Sequence, residues 1–264
     1  MTRSAIITLL TDFGSRDAFV GIMKGVMLGI NPSISFIDLS HDVPPQDVLA
    51  GALVLRSAAS FFPPGAIHVA VVDPGVGSNR RALLVETPDA FFVGPDNGLL
   101  SLAAPTNAVT RTIHLTNEEY FLLPRSQTFH GRDVFAPVAA HLSRGVSPTQ
   151  FGPSTATREL LTLPQIDQYA NRLTGSVIHI DHFGNATTNI TAGDLRPFSM
   201  DTLLVSMNAV QIHGLVSSYA AVAIGAPAAL INSWGLLEVA VRNGSAAQRF
   251  NLQVGQPITL IFSP

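Results

Sequence analysis

Short apolar runs alternate with stretches of helical spacing over residues 1–165, and this alternation narrows the possible folds more than any other feature of the chain. IITLLTDF reads as a strand, and DAFVGIMKGVMLGI, ending at Ile30, carries apolar residues at helical intervals. SISFIDLS is a second strand, and QDVLAGALVLRSAASF, starting at Gln46, a second helix. Strands follow at AIHVAVVD, ALLVET and AFFVGP, with a further helix after FHGRDVF. Strands that are apolar on both faces, separated by helices, predict a mostly parallel sheet sandwiched by helices.

Near residue 150 the pattern changes. Prolines, threonines and polar residues follow, and 166–174 reads as a linker. From Gly175 the runs SVIHIDHF, TLLVSM, AAVAIG, AALINS, LLEVAV and PITLIF are separated by turns. They predict a smaller all-β domain over 175–264. The fold class is therefore α/β, with an N-terminal α/β domain over 1–165 and a C-terminal β domain.

Of the 264 residues, 47% are hydrophobic and 12% charged, where an ordinary soluble domain has roughly 25% charged. So few charges cannot cover a free surface of this size. A membrane span is not the reason, since no segment approaches ~20 uninterrupted apolar residues. YAAVAIGAPAALI is broken by Gly225 and Pro227. The first apolar run ends at Asp12 and reads as a strand, not a signal peptide. A soluble, cytoplasmic oligomer is expected. A net charge of −3 without a basic cluster gives no support for nucleic acid binding. The absence of cysteine excludes disulfides, thiolate catalysis and cysteine-ligated zinc.

Asp12 and Asp73 end strands, where a parallel sheet binds its ligands. Taken singly, an aspartate before glycine or proline is more often a turn or cap residue. The turn DPGVGSNR says more. Its two glycines let backbone amides approach a ligand closely, and Arg80 can hold Asp73 ionised or orient an oxygen. TFHGRDVF adds His130, either an acid–base group or part of a helix start with Asp133 at the positive end. In the β domain, IDHFGNATTNI offers Phe183 for stacking, Asn185 for pairing with an adenine-like edge and Asp181 for an amine. The bland reading is a hairpin turn. NSWGLLEVAVRNGSA offers Ser233 and the backbone around Asn243, against a solvated edge-strand turn. No G-x-G-x-x-G, G-x-x-x-x-G-K-[ST] or G-x-S-x-G motif is present.

Taken together, TDFG, SHDVPPQDV, VVDPGVGSNRR, GPDNGLL, FHGRDVFAP, IDHFGNATTNI and INSWGLLEVAV resemble one family. The chain is similar, over nearly its whole length, to the S-adenosylmethionine hydroxide adenosyltransferases (S-adenosylmethionine hydrolases). These are relatives of the fluorinating and chlorinating adenosyl halogenases. The resemblance implies a barrel-like C-terminal domain and a homotrimer whose sites join the N-domain of one subunit to the C-domain of its neighbour. It implies Asp73, Arg80 and His130 as a hydrolytic triad and Asp12 on the ribose hydroxyls. Phe183, Asn185 and the backbone near Val241 and Asn243 match adenine contacts, with Tyr219 a looser stacking candidate. Asp181 and Ser233 match the groups that hold the methionine amine and carboxylate. Gln46 stands where halogenases have an aromatic cover, and Asp73 where they have an aromatic residue.

The implied reaction converts S-adenosylmethionine and water to adenosine and L-methionine, with no cofactor and no membrane or nucleic acid partner. Methionine leaves from C5′ as a neutral thioether, so activation of water is the demanding step. Three alternatives are a halogenase, a metal-dependent hydrolase using Asp12, Asp17, His41, Asp42, Asp73 and His130, and a non-catalytic adenosine- or S-adenosylmethionine-binding protein.

Overall fold

The computed structural model describes residues 5–198, 203–208 and 210–262. The chain divides into two compact units, Met1–Leu161 and Thr162–Pro264.

In the first unit the order is β1 (Ile6–Thr11), α1 (Phe19–Ile30), β2 (Ser35–Ser40), α2 (Val48–Ala59), β3 (Ala66–Val71), β4 (Ala82–Glu86), β5 (Ala90–Pro95), β6 (Arg111–His114) and α3 (Ala136–Ser143). The strands form one sheet in the order β2-β1-β3-β5-β4-β6. β2, β1, β3 and β5 pair in parallel, while β4 is antiparallel to both β5 and β6. Strand periodicity puts alternate side chains on opposite faces. Ile7, Leu9, Ile67 and Val69 pack with Met23, Met27 and Val138 on the side of α1 and α3. Leu10 and Ala70 point the other way, to Leu55 of α2. Each such large side chain, taken fully out of water, contributes about 1.5–3 kcal/mol.

α2 begins at Asp47, whose carboxylate accepts from Ala50 N at 2.9 Å and so satisfies a free helix-end donor. α1 has no side-chain cap and leaves Phe19, Ile22 and Leu28 exposed. After α3 the chain is fastened back onto the first unit. Glu159 N donates to Asp96 at 2.7 Å and Leu161 N to Ser101 at 3.1 Å.

The second unit comprises β7 (Asp167–Tyr169), β8 (Arg172–Ile180), β9 (Ala186–Thr191), α4 (Ala192–Leu195), β10 (Leu203–Met207), β11 (Val210–His213), β12 (Pro227–Ile231), β13 (Leu236–Val241), α5 (Ala246–Phe250) and β14 (Pro257–Phe262). These strands make a nearly barrel-shaped antiparallel sheet, ordered β11-β10-β14-β8-β9-β13-β12, with β7 paired to β8. The stretch 166–174 thus carries β7 and the start of β8.

AAVAIG is not a strand. Tyr219–Ala221 forms a short 3₁₀ turn, and the chain bends onward to Gly225. Arg242 takes the carbonyls of Ala220 and Val222, at 3.2 and 2.6 Å, that a neighbouring strand would otherwise satisfy. The polar run ATTNIT is instead a strand, β9, because Thr188 Oγ1 is absorbed by Leu237 O at 3.0 Å.

Candidate active site

The first group of site residues lies at the carboxyl edge of the parallel strands. Asp73 follows β3, and Asp12 follows β1, its parallel neighbour. Arg80 closes the turn that leads into β4. Its Nε donates to Asp73 Oδ1 at 2.9 Å and Oδ2 at 3.1 Å, and its Nη2 also donates to Oδ2. The two side chains are 10% and 4% exposed, so this ion pair is shielded from screening by water.

The same Nη2 lies 2.8 Å from His130 Nδ1. A guanidinium only donates, so Nδ1 accepts and the proton of the neutral ring sits on Nε2. Nε2 is buried and has no hydrogen-bond partner among the described residues. Burial lowers the His130 pKa from its ordinary value. The cations Arg80 and Arg125 lower it further, against Asp73 and Asp133. Phe135 lies under the Arg80 guanidinium, 5.4 Å from ring centroid to Cζ.

His130 opens a wide π-helical turn, Gly131–Phe135, of a kind frequent at functional sites. Asp133 in that turn is fully buried and accepts from Ser126 N at 2.7 Å, which ties down the preceding loop. That loop presses on the Asp73 turn. Gly77 has φ 77°, and a Cβ there would overlap Gln127 O. Only glycine combines that backbone with that approach.

Asp12 Oδ2 accepts from Gln46 N at 2.8 Å. Gln46 has φ 67°, a left-handed backbone that a side chain of its size seldom adopts. Gln46 is therefore held by its backbone, a constraint that sequence does not display. The group around His41 is internally occupied. Its Nδ1 is 2.9 Å from Thr11 Oγ1, and its Nε2 is 3.1 Å from Asp38 Oδ1 but off line for a hydrogen bond. Among the described residues no three His, Cys, Asp or Glu gather as metal ligands would.

The second group belongs to the other unit. An open cleft of about 510 Å³ is lined by Asp181, Phe183, Asn185, Tyr219, Val241 and Asn243, with Arg242 and Gly244. A second cleft of about 390 Å³ shares Asp181 and Tyr219 with the first and includes Ser233 and Trp234. Asp181 organises the turn between β8 and β9. Its Oδ1 accepts from Phe183 N at 2.9 Å and Asn185 N at 2.8 Å, and its Oδ2 from Asn185 Nδ2 at 2.9 Å. The Asn185 amide nitrogen thus serves the turn. The Phe183 ring stands 73% exposed in the lining of the cleft, with His182 edge-on to it. Sequence reasoning passed over Glu238, though a lone charge inside LLEVAV was there to be noticed.

Residues 7–152 match the SAM hydroxide adenosyltransferase N-terminal domain, and residues 175–259 the C-terminal domain of the same name. The chain belongs to the SAM hydroxide adenosyltransferase family. Within and around this family, it is 38% identical to the (R)-S-adenosyl-L-methionine hydrolase of Salinispora tropica, over 94% of this chain and 95% of that one. It is 27% identical to a fluorinase of an Actinoplanes species, over 97% of each. A solved structure described as an uncharacterized conserved protein from Thermotoga maritima superposes with a TM-score of 0.90 at 35% identity, covering 97% of this chain and 99% of that one. No helix of the described residues is long and apolar enough to cross a membrane.

Proposed function

We propose that this chain hydrolyses S-adenosyl-L-methionine to adenosine and L-methionine, by in-line attack of an activated water on C5′. The supporting observation is the linked trio Asp73–Arg80–His130. The carbon–sulfur bond breaks as carbon–oxygen forms, its electron pair goes to sulfur, and methionine departs as a neutral thioether. The water proton needs an acceptor. His130 already accepts from Arg80 through Nδ1 and carries its proton on Nε2, so Asp73 is the base. The Nε2–H of His130 donates to the oxygen and orients it. As the hydroxide-like oxygen approaches the sulfonium-bearing carbon, opposite charges merge, a change that a dry site favours over bulk water.

The same carboxylate argues against halide as the nucleophile, because an ionised Asp73 repels an anion at the point of attack. The Salinispora tropica relative is an (R)-S-adenosyl-L-methionine hydrolase, and we take that epimer as a substrate here. Asp12 is assigned to the ribose hydroxyls, the larger cleft to adenine, and the smaller one to the methionine end.

The two groups of site residues sit in different units of the chain. We take the complete site to form in a homotrimer, between the first unit of one subunit and the second unit of its neighbour. The low charge content and the exposed Phe19, Ile22 and Leu28 of α1 support buried intersubunit surface. Light scattering at assay concentration reads this directly, and a fully active monomer would overturn it. A cytoplasmic location fits an enzyme without cysteine that consumes a cellular metabolite.

Hydrolysis itself is tested by mass spectrometry in oxygen-18 water containing chloride and fluoride. Label is expected at the 5′ oxygen of adenosine from either sulfonium epimer that turns over. A 5′-halo-5′-deoxyadenosine product, or unlabelled adenosine, would refute it.

A further inference from the structure

Glu238 sits in the middle of β13 and is 4% exposed. A carboxylate that deep is rare without a cation beside it. Its hydrogen-bond partners among the described residues are all neutral. Tyr219 donates its hydroxyl to Oε1 at 2.7 Å, Asn232 Nδ2 donates to Oε2 at 3.1 Å, and Thr187 Oγ1 lies 3.4 Å from Oε2. If only the strand mattered, an apolar residue of similar volume would serve as well or better.

The donors show what the carboxylate holds. Tyr219 is part of the wall common to the two clefts. Burial and the Glu238 carboxylate both push its hydroxyl upward, so it remains a donor throughout the neutral range. Asn232 turns its other end to the backbone, accepting from Trp234 N at 2.9 Å and Leu236 N at 3.2 Å. That shapes the turn which carries Ser233 and Trp234 into the smaller cleft. One buried carboxylate, itself in the lining of the smaller cleft, therefore ties Tyr219 to the Asn232 turn. The turn that brings Phe183 and Asn185 to the larger cleft is held by Asp181 and not by Glu238.

We infer that Glu238 is a positioning residue for the amino-acid end of the substrate, fixing Tyr219 and the Asn232 turn so that the site prefers S-adenosylmethionine to the nucleoside alone. This rests on the hydrolase reading above.

The test combines steady-state kinetics with calorimetry on Glu238→Gln. Glutamine keeps the volume but places an amide donor where the carboxylate accepted, so it cannot receive both Tyr219 and Asn232. The KM for S-adenosylmethionine should rise at least about tenfold, as expected for lost hydrogen bonds to a charged group, while kcat and adenosine affinity change less than about threefold. Tyr219→Phe should raise KM at least about threefold, and the double variant should do little worse than Glu238→Gln alone, because one bond is shared. An unchanged KM in Glu238→Gln, or an equal loss of adenosine affinity, overturns the proposal. If Glu238→Gln does not fold, Tyr219→Phe and Asn232→Ala each cut one of the bonds, and a normal KM in both overturns it. Should the wild type release no methionine, the hydrolase reading is what fails. L-methionine binding then carries the test, and undiminished affinity in Glu238→Gln sinks the positioning role.

Discussion

Arg80 Nη2 and His130 Nδ1 lie 2.8 Å apart, a contact that only a neutral imidazole can make. Protonating the ring would set N–H against N–H beside a cation. The arginine thus does two things at once. It binds both oxygens of the Asp73 carboxylate, and its charge helps lower the pKa of the His130 ring.

This fixes the acid limb of the pH profile. The His130 pKa is lowered, first by burial and then by Arg80 and Arg125, so the ring stays neutral below the ordinary value of 6.5. kcat/KM should be flat from pH 8 down to 6.5 and fall only beneath it. Removing the cation with Arg80→Met should move this limb upward, whatever the loss in overall rate. A wild-type limb above 6.5, or one that stays put in Arg80→Met, contradicts the assignment.

Removing the base should cost rate more than binding. Asp73→Asn keeps the shape of the side chain, and its kcat should drop at least ~100-fold, the lower range for general base catalysis. His130→Ala should also be slow. If the two act as one unit, the double variant loses less than the product of the single losses. Near-wild-type turnover by Asp73→Asn would remove the carboxylate from the mechanism.

Acid stability should depend on a different histidine. His68 is fully buried in β3, with Nδ1 2.8 Å from Thr8 Oγ1 and its ring stacked on Phe92. Burial lowers its pKa to about 4. Unfolded, the ring takes a proton near 6.5, so between 6.5 and about 4 the unfolded chain binds more protons than the folded one. Stability from this site is complete above pH 6.5 and declines as pH falls through that window. The full loss is about 3 kcal/mol from a shift of this size. Urea midpoints at pH 7.5 and 4.5 measure it, and His68→Gln should flatten the difference. An equal slope in the variant would point to other groups.

The elements that sequence displays are those whose burial is complete on both faces. β1 and β3 are mostly apolar runs, broken within by Thr8 and His68, which bond each other. Strand direction is not written in such runs, so the antiparallel setting of β4 could not be read from ALLVET. AAVAIG misleads because small apolar residues suit a strand, whereas the side chain of Arg242 claims its carbonyls. The pairing of Asp73 with Arg80 was legible, since a charge-poor chain rarely spaces two opposite charges around a glycine turn. The backbone constraint on Gln46 and the buried bonds of Glu238 were not. Each arises from residues far along the chain, Asp12 in one case and Tyr219 in the other.

The antiparallel direction of β4 has a mechanical consequence. Residues 72–81 leave the carboxyl end of β3, pass β5 and re-enter the same sheet at β4. The segment that bears both Asp73 and Arg80 is therefore a bridge moored to strands at either end, with Gln127 O wedged against Gly77 along its span. Asp73 and Arg80 are thereby carried on one span fixed at both ends and held near its middle, which favours a constant spacing between the carboxylate and the guanidinium.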